Sequence, residues 1–205
     1  MRVISASLCL LAILAIDGPA QAQSGSLSDV LDSLFSAKAT DSVENTDLNY
    51  RFDLPDGYKA LDSDKLIPGA DFAAVRSQPN AVFSIFADHL GENVSLQEFY
   101  DINVATFDAY FSREEKYGSI KRQEVQRAQL SGVEALRWRF DVTLSGKPYQ
   151  YISTVLVKNG FGYQFVGWTT TDTDIGLEQE SDLFSQGFSV LSEESKPNKN
   201  EPASL

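Results

Sequence analysis

The chain has 205 residues, a formal net charge of −12 at pH 7 and a single cysteine. So strong a negative charge repels phosphate backbones and anionic lipid surfaces, and nucleic acid is therefore excluded as an expected partner. The length suits one domain of ordinary size behind a leader, and an aromatic content of 11% is enough to fill its core.

Residues 1–22 have the three parts of a cleavable signal peptide. Arg2 gives a positive end, residues 3–16 are a run of apolar and small residues, and the small residues Ala20 and Ala22 precede the predicted cleavage site. A membrane anchor is excluded because about 14 helical residues reach only about 21 Å across a hydrocarbon core of about 30 Å. The sequence predicts an exported protein, periplasmic or secreted, with no membrane span and no cysteine after cleavage.

The rest of the chain divides into three predicted parts. Residues 23–47 are predicted to be an N-terminal helix, whose apolar face lies at 27–35, and a polar connection from 40 to 47. Residues 48–191 are predicted to form the folded domain. Residues 192–205 have almost nothing to bury, and they are predicted to be a disordered tail.

The first half of the domain is predicted to contain three strands and a long helix. Residues 48–53 alternate apolar and polar side chains, which is typical of a strand. Residues 71–76 and 81–87 are predicted to pair as a hairpin. Ser95 and Glu98 have the spacing of a capping box, which predicts that a helix with an aromatic face begins there.

The second half is predicted to be an antiparallel meander with its register set by one turn. Asn159-Gly160 favours a two-residue hairpin turn that pairs Lys158 with Phe161. This register collects on one face Leu136, Trp138, Phe140, Val142, Tyr151, Val155, Val157, Val166 and Trp168. It places on the other face Arg137, Arg139, Asp141, Ile152, Leu156, Tyr163 and Phe165.

Neither face of this meander is wholly polar, so both faces need cover from other elements. A last helix is predicted to begin at a Thr173 cap and to run to about residue 186. Together with the capping-box helix it can cover the sheet. The sequence therefore predicts an α+β fold, an α/β/α sandwich in which helices flank both faces of a central antiparallel sheet.

Four strings of the chain resemble the PsbP-like proteins, the family of the oxygen-evolving-complex subunit and its exported bacterial relatives. They are residues 50–58, 95–99, 132–138 and 161–168, and the resemblance spans about residues 48–191. It implies an α/β/α sandwich, an exported or lumenal location, and an accessory or binding role without catalysis. None of these strings is a site motif, so the resemblance implies no functional residue.

The sequence predicts no catalytic residue, metal site or cofactor. His89 is the single histidine and no cysteine remains after the predicted cleavage, so a histidine pair for zinc is impossible and a general base at His89 lacks its usual partners. No Gly-x-Ser-x-Gly elbow is present. A hydrolase built around His89 is the least favoured function, and the protein is predicted not to be an enzyme.

Binding residues are predicted instead. The basic candidates alternate on one strand, Arg137 and Arg139, and lie on its expected neighbour at Lys121, Arg122 and Arg127. Cross-strand pairing with Glu124, Glu134 and Asp141 explains the same charges and is the favoured alternative.

The aromatic meander, with Tyr163 as a candidate binding residue, could line an apolar pocket, although packing in the core is the favoured explanation. The predicted function is an exported accessory or binding protein that engages an unknown envelope or extracellular protein. The alternative is a carrier of a small apolar or anionic ligand.

Overall fold

The computed structural model describes most of the predicted domain, namely residues 42–61, 67, 69–76, 81–91, 93–111, 117–144, 147–170 and 176–191. The predicted signal peptide with Ala20 and Ala22, the predicted helix at 27–35 and the predicted tail at 192–205 lie outside the described residues. Those three features stay predictions.

The described residues form eleven strands and two helices. In chain order the elements are β1 (Ser42–Asn45), β2 (Tyr50–Asp53), β3 (Lys59–Ala60), β4 (Phe72–Arg76), β5 (Ala81–His89), α1 (Leu96–Phe111), β6 (Tyr117–Arg122), β7 (Gln126–Leu130), β8 (Val133–Leu144), β9 (Lys147–Lys158), β10 (Phe161–Thr170), α2 (Leu177–Ser185) and β11 (Phe188–Val190). Neither helix is long and apolar enough to cross a membrane, within the part of the chain that is described.

The strands make two antiparallel sheets. The large sheet has eight strands in the order β3-β4-β5-β10-β9-β8-β6, and β7 also pairs with β8. The small sheet has the order β1-β2-β11. The hairpin predicted from residues 71–76 and 81–87 is confirmed as β4 and β5.

The meander has the register predicted from its turn. Asn159 and Gly160 have φ of 54° and 77°, the left-handed values that a two-residue hairpin turn requires. Lys158 pairs with Phe161, and further along the same ladder Tyr151 pairs with Trp168. The predicted assignment of side chains to the two faces of the sheet is therefore confirmed.

Each face of the large sheet has its own apolar core. The first core is aromatic and includes Phe99 and Phe107 of α1 together with Leu136, Trp138, Phe140, Val142, Tyr151, Val155, Val166 and Trp168 of the sheet. The second core includes Leu177 and Phe184 of α2, Tyr50, Phe52 and Phe188 of the small sheet, and Ile152, Leu156, Tyr163 and Phe165 of the large sheet.

Helix α1 begins at the predicted capping box. The Ser95 amide donates to Glu98 Oε2 at 2.8 Å, and the Glu98 amide donates to Ser95 Oγ at 3.2 Å. Two of the four free amides at the helix start are satisfied in this way. The hydrogen bonds from the Ser95 backbone and side chain hold the pKa of Glu98 below its usual value.

Two predictions about the ends of the domain are wrong. Residues 40–47 were expected to be a connection, but Ser42–Asn45 form β1 and pair with β2. The last helix was expected to begin at a Thr173 cap. Thr173 lies outside the described residues, but α2 begins at Leu177 and its N-cap is Gly176, which makes no side-chain hydrogen bond.

The layers also differ in part from the predicted sandwich. The three-stranded sheet was not predicted, and its Tyr50, Phe52 and Phe188 pack into the second core beside α2. That core therefore receives side chains from a sheet as well as from a helix. The fold is mixed α/β with antiparallel sheets, and two helices lie within the described residues.

Candidate functional site

The acidic helix α2 lies over arginines of the large sheet. Its three carboxylates, Glu178, Glu180 and Asp182, each form an ion pair with an arginine. The arginines come from two strands that lie far apart in the sheet order, Arg76 from β4 and Arg137 and Arg139 from β8. The ion pairs therefore tie α2 to both sides of the sheet.

Arg137 is the most buried member of this group, with 7% of its surface exposed. Its Nε donates to Thr154 Oγ1 at 3.0 Å, and its Nη2 donates to Asp182 Oδ1 at 2.5 Å. Glu178 lies between the two arginines, because its Oε1 is 3.6 Å from Arg137 Nη1 and its Oε2 is 2.8 Å from Arg139 Nη2. The hydrogen bonds and ion pairs of the Arg137 guanidinium are thus made with other residues of the same domain.

A second group joins the other side of α2 to the β3–β4 end of the sheet. Arg76 Nη1 lies 2.5 Å from Glu180 Oε2, and the Tyr58 hydroxyl donates to the same oxygen at 2.9 Å. The Arg76 guanidinium also lies 5.4 Å from the centre of the Tyr58 ring. Burial, followed by the hydrogen bond to Glu180, raises the pKa of the Tyr58 phenol. Neither Arg76 nor Glu180 was singled out from the sequence.

The other two predicted binding residues lie elsewhere. Arg122 forms an ion pair with Asp108 of α1. Tyr163 is fully buried, and its hydroxyl donates to the carbonyl oxygens of Leu48 at 2.9 Å and Asn49 at 3.1 Å. The structure therefore brings together Arg137 and Arg139 but not Arg122 or Tyr163, and the four do not form one exposed patch.

The ion pairs also differ from the favoured cross-strand explanation. Arg127 does pair with Glu134 across β7 and β8, as expected for a solvated strand pair. Arg137 and Arg139, however, bind the carboxylates of α2. The spacing of acids in α2 could have suggested a charged helix face, but nothing in the sequence indicates which strand it covers.

Tyr163 and Tyr50 make a matched pair for testing the buried hydroxyls. Tyr163→Phe removes the one donor that the Leu48 and Asn49 carbonyls share, and within the described part of the chain only the Asn49 carbonyl keeps another, the Leu191 amide. We therefore expect a loss of about 1–2 kcal/mol in the free energy of unfolding. The Tyr50 hydroxyl is buried with no hydrogen-bond partner among the described residues. Tyr50→Phe should therefore be neutral or slightly stabilising. Equal losses for the two variants in urea denaturation would contradict this assignment.

Two acidic residues near the start of β4 are partly buried. Asp71 Oδ2 accepts a hydrogen bond from the Ala87 amide at 2.7 Å, which extends the β4–β5 ladder by a side chain. Burial raises the pKa of Asp71 to about 6, since the hydrogen bond from Ala87 offsets only part of the desolvation. Burial also raises the pKa of Asp88.

Asp71 should make stability depend on pH. Because its pKa is higher in the folded state than in the unfolded state, folding is favoured by its protonation below about pH 4, and this contribution is lost as the pH rises to about 6. Asp71→Asn should therefore gain stability relative to the wild type over that range, by about 1–2 kcal/mol after solvent screening. Urea denaturation at several pH values measures the difference, and a difference that is independent of pH would contradict it.

His89 lies in the last position of β5, with its ring 5.0 Å from that of Phe161 in an edge-on contact. Within the described ranges, no three Cys, His, Asp or Glu side chains converge where they could hold a metal ion. The polar groups that the fold does bring together are the arginines and carboxylates around α2. By pairing with one another, these arginines and carboxylates can hold α2 against the sheet. They also determine the local surface charge around α2.

The comparison with solved structures identifies the fold. Cyanobacterial PsbP (CyanoP) from Synechocystis sp. PCC 6803 matches with a TM-score of 0.56 at 14% identity, over 84% of this chain and 99% of that chain. LpqN of Mycobacterium tuberculosis, described as involved in cell envelope biogenesis, matches with a TM-score of 0.53 at 13% identity, over 85% of this chain and 100% of that chain.

A crystal structure from Bacteroides thetaiotaomicron matches with a TM-score of 0.53 at 8% identity, over 77% of this chain and 50% of that chain. No protein-family model matches the chain, and no curated protein matches it either. At these identities the likeness shows the fold alone. The chain has a PsbP-like fold, so the resemblance predicted from its sequence is confirmed at that level.

Proposed function

We propose that this chain is an exported, non-enzymatic accessory protein of the cell envelope that works by binding another protein. The observation that supports it most is the likeness in fold to LpqN, a protein involved in cell envelope biogenesis, and to cyanobacterial PsbP. Both likenesses extend over nearly the whole of the matched chains. The predicted signal peptide at residues 1–22 supports the same location.

The side chains around α2 support a binding role rather than a catalytic one. A general acid or base needs a titratable group that is free to reach a substrate. The Arg137 guanidinium instead donates hydrogen bonds to Thr154 and Asp182. The Glu180 carboxylate pairs with Arg76 and accepts a hydrogen bond from Tyr58. These groups fix the position of α2 and leave the outer surface of the domain for contact with a partner.

Cross-linking in the host followed by purification of the tagged full chain tests this proposal. We expect one envelope protein to be recovered with the chain in a constant ratio when the purification is carried out under denaturing conditions. The same purification without the cross-linker should recover the chain without that protein. Recovery of the chain alone from intact cells, or its retention in the cytoplasm, would overturn the proposal. His89→Ala tests the hydrolase alternative. If the variant keeps every activity that the purified wild type shows, His89 is not the base of a hydrolase.

A carrier of a small ligand is the second candidate. Trp138 Nε1 is buried without a hydrogen-bond partner among the described residues, and Trp138 lies directly opposite Ser153 in the β8–β9 ladder. A buried donor of this kind is commonly satisfied by a bound molecule or water. Native mass spectrometry of the chain purified from its host distinguishes the two: a reproducible added mass favours the carrier, and the bare mass of the chain opposes it.

A further inference from the structure

We propose that the free edge of β7 is the docking site for an extended acidic segment of the partner, which adds to the large sheet as one more strand. The inference rests on the proposed function for the existence of a protein partner. It adds the surface and the chemistry of the segment that binds there. Strand addition supplies affinity through backbone hydrogen bonds, and neighbouring side chains supply selectivity.

The backbone of β7 is open on one side. Among the described residues β7 pairs with β8 alone. Ser131 and Gly132, with φ of 50° and 75°, make a two-residue hairpin turn, so Leu130 and Val133 form the first hydrogen-bonded pair. Hydrogen-bonded pairs then alternate along the ladder. The amide and carbonyl groups of the two remaining residues, Arg127 and Gln129, must therefore point away from β8.

The side chains along this edge leave room for another strand. Gln126, Arg127 and Gln129 are all exposed. The side chain of Arg127 is 82% exposed. Val125, which directly precedes the strand, is 42% exposed. An incoming strand would therefore meet solvated groups and one apolar side chain, and it would displace no element that the structure describes.

The other edges are poorer candidates. On the opposite edge of the large sheet, β3 is only two residues long. The edge strands of the small sheet, β1 and β11, have four and three residues. β6, with six residues, lies on the same side of β8, but its pairing shifts register between Tyr117 and Ile120, and such irregularities protect a sheet edge. β7 has five residues in unbroken register with β8, so it offers the longest regular run of edge backbone among the described strands.

Charge selects an acidic occupant. Residues 121–130 contain three basic side chains, Lys121, Arg122 and Arg127, and one acidic side chain, Glu124, in a chain with a net charge of −12. Arg122 is paired with Asp108 of α1, so the exposed cations on this edge are Lys121 and Arg127. The ion pair of Arg127 with Glu134 is exposed on both sides, so a carboxylate from a partner can replace it at little cost. A second copy of the chain is disfavoured because antiparallel pairing of two β7 strands would bring the Arg127 side chains together.

Amide hydrogen exchange measured by NMR tests the docking site on the full chain. The probe is a blocked heptapeptide of alternating threonine and glutamate, and the control peptide has lysine in place of glutamate. We expect the acidic peptide to slow exchange of the Arg127 and Gln129 amides at least tenfold and the lysine peptide to leave them unchanged. Equal protection by both peptides, or protection elsewhere with none on β7, overturns the proposal. Protection of these amides in the chain alone, with dimerisation, assigns the edge to a second copy and also overturns it.

Gln129→Pro gives a sharp variant. Proline removes an amide that points away from β8, so the fold should be retained, as at other edge positions facing solvent. Gln129→Ala is the matched control. We expect peptide affinity to fall at least tenfold for proline and less than twofold for alanine, and equal affinities overturn the inference. In host cross-linking, a partner recovered equally by wild type and Gln129→Pro rejects the β7 edge alone, whereas no partner for the wild type rejects the proposed function itself.

Discussion

Gly187→Ala should cost about 3 kcal/mol or more in the free energy of unfolding, which would make it one of the most damaging single substitutions in the domain. Gly187 lies between α2 and β11, and its carbonyl accepts a hydrogen bond from the Asp53 amide at 2.9 Å. A Cβ atom at this position would overlap the Asp53 carbonyl oxygen. Because the obstacle is backbone, no side-chain rotation relieves it, and β11 would have to move away from β2.

Gly176→Ala is the matched control for this substitution. A Cβ atom at residue 176 would meet only the side chain of Gln179, which is exposed and can move. We expect Gly176→Ala to lose about 1 kcal/mol or less in the free energy of unfolding, because alanine is less favourable than glycine at the N-cap of a helix. Urea denaturation of both variants measures the difference, and comparable midpoints would contradict the close approach of β11 and β2.

Arg137→Glu should destabilise the chain by about 3–5 kcal/mol. The substitution removes the hydrogen bond to Thr154 and places a buried carboxylate beside Glu178 and Asp182. The result expected in thermal and urea denaturation is a large loss of stability. A folded variant that only lost a partner would instead show that Arg137 belongs to a binding surface.

The partners of Arg137 provide the control. Asp182 is 55% exposed in its side chain, and Glu178 remains near Arg137 when Asp182 is removed. Asp182→Ala should therefore cost only about 1 kcal/mol or less. If Asp182→Ala proved as damaging as Arg137→Glu, the cost would reside in the contact between helix and sheet rather than in the buried charge.

Local signals predicted much of the fold. The Asn159-Gly160 turn sets the register of β9 and β10, and a period of two then assigns every side chain of the meander to a face. The capping box of Ser95 and Glu98 likewise depends on residues three positions apart. Each of these signals is complete within a few consecutive residues, so no distant part of the chain is needed to interpret it.

The small sheet could not be predicted in the same way. β2 pairs with β11, and Phe52 lies opposite Phe188, although more than a hundred positions separate them in the sequence. The strand predicted from the alternation at residues 48–53 is present as β2. Its partners β1 and β11 are only four and three residues long, too short for a periodic pattern to stand out. Their pairing depends on where α2 brings the chain.

The candidate site was predicted by residue type but not by arrangement. The sequence indicates that Arg137 and Arg139 share a strand face, and they do share Glu178. It does not show that α2 crosses that face, so Arg137 was expected at the surface and is buried. The free edge of β7 was missed because sequence alone does not show that, among the described strands, β7 pairs with β8 alone.

Site-specific photo-cross-linking in the host is the most direct test of whether the β7 edge binds an envelope protein. A photoreactive amino acid is placed at Gln129 on β7 or, as the control, at Gln179 on the outer side of α2, since both side chains are exposed. We expect position 129 to yield an adduct with one envelope protein and position 179 to yield none with that protein. Adducts of the same protein from both positions, or none from position 129, would contradict this expectation.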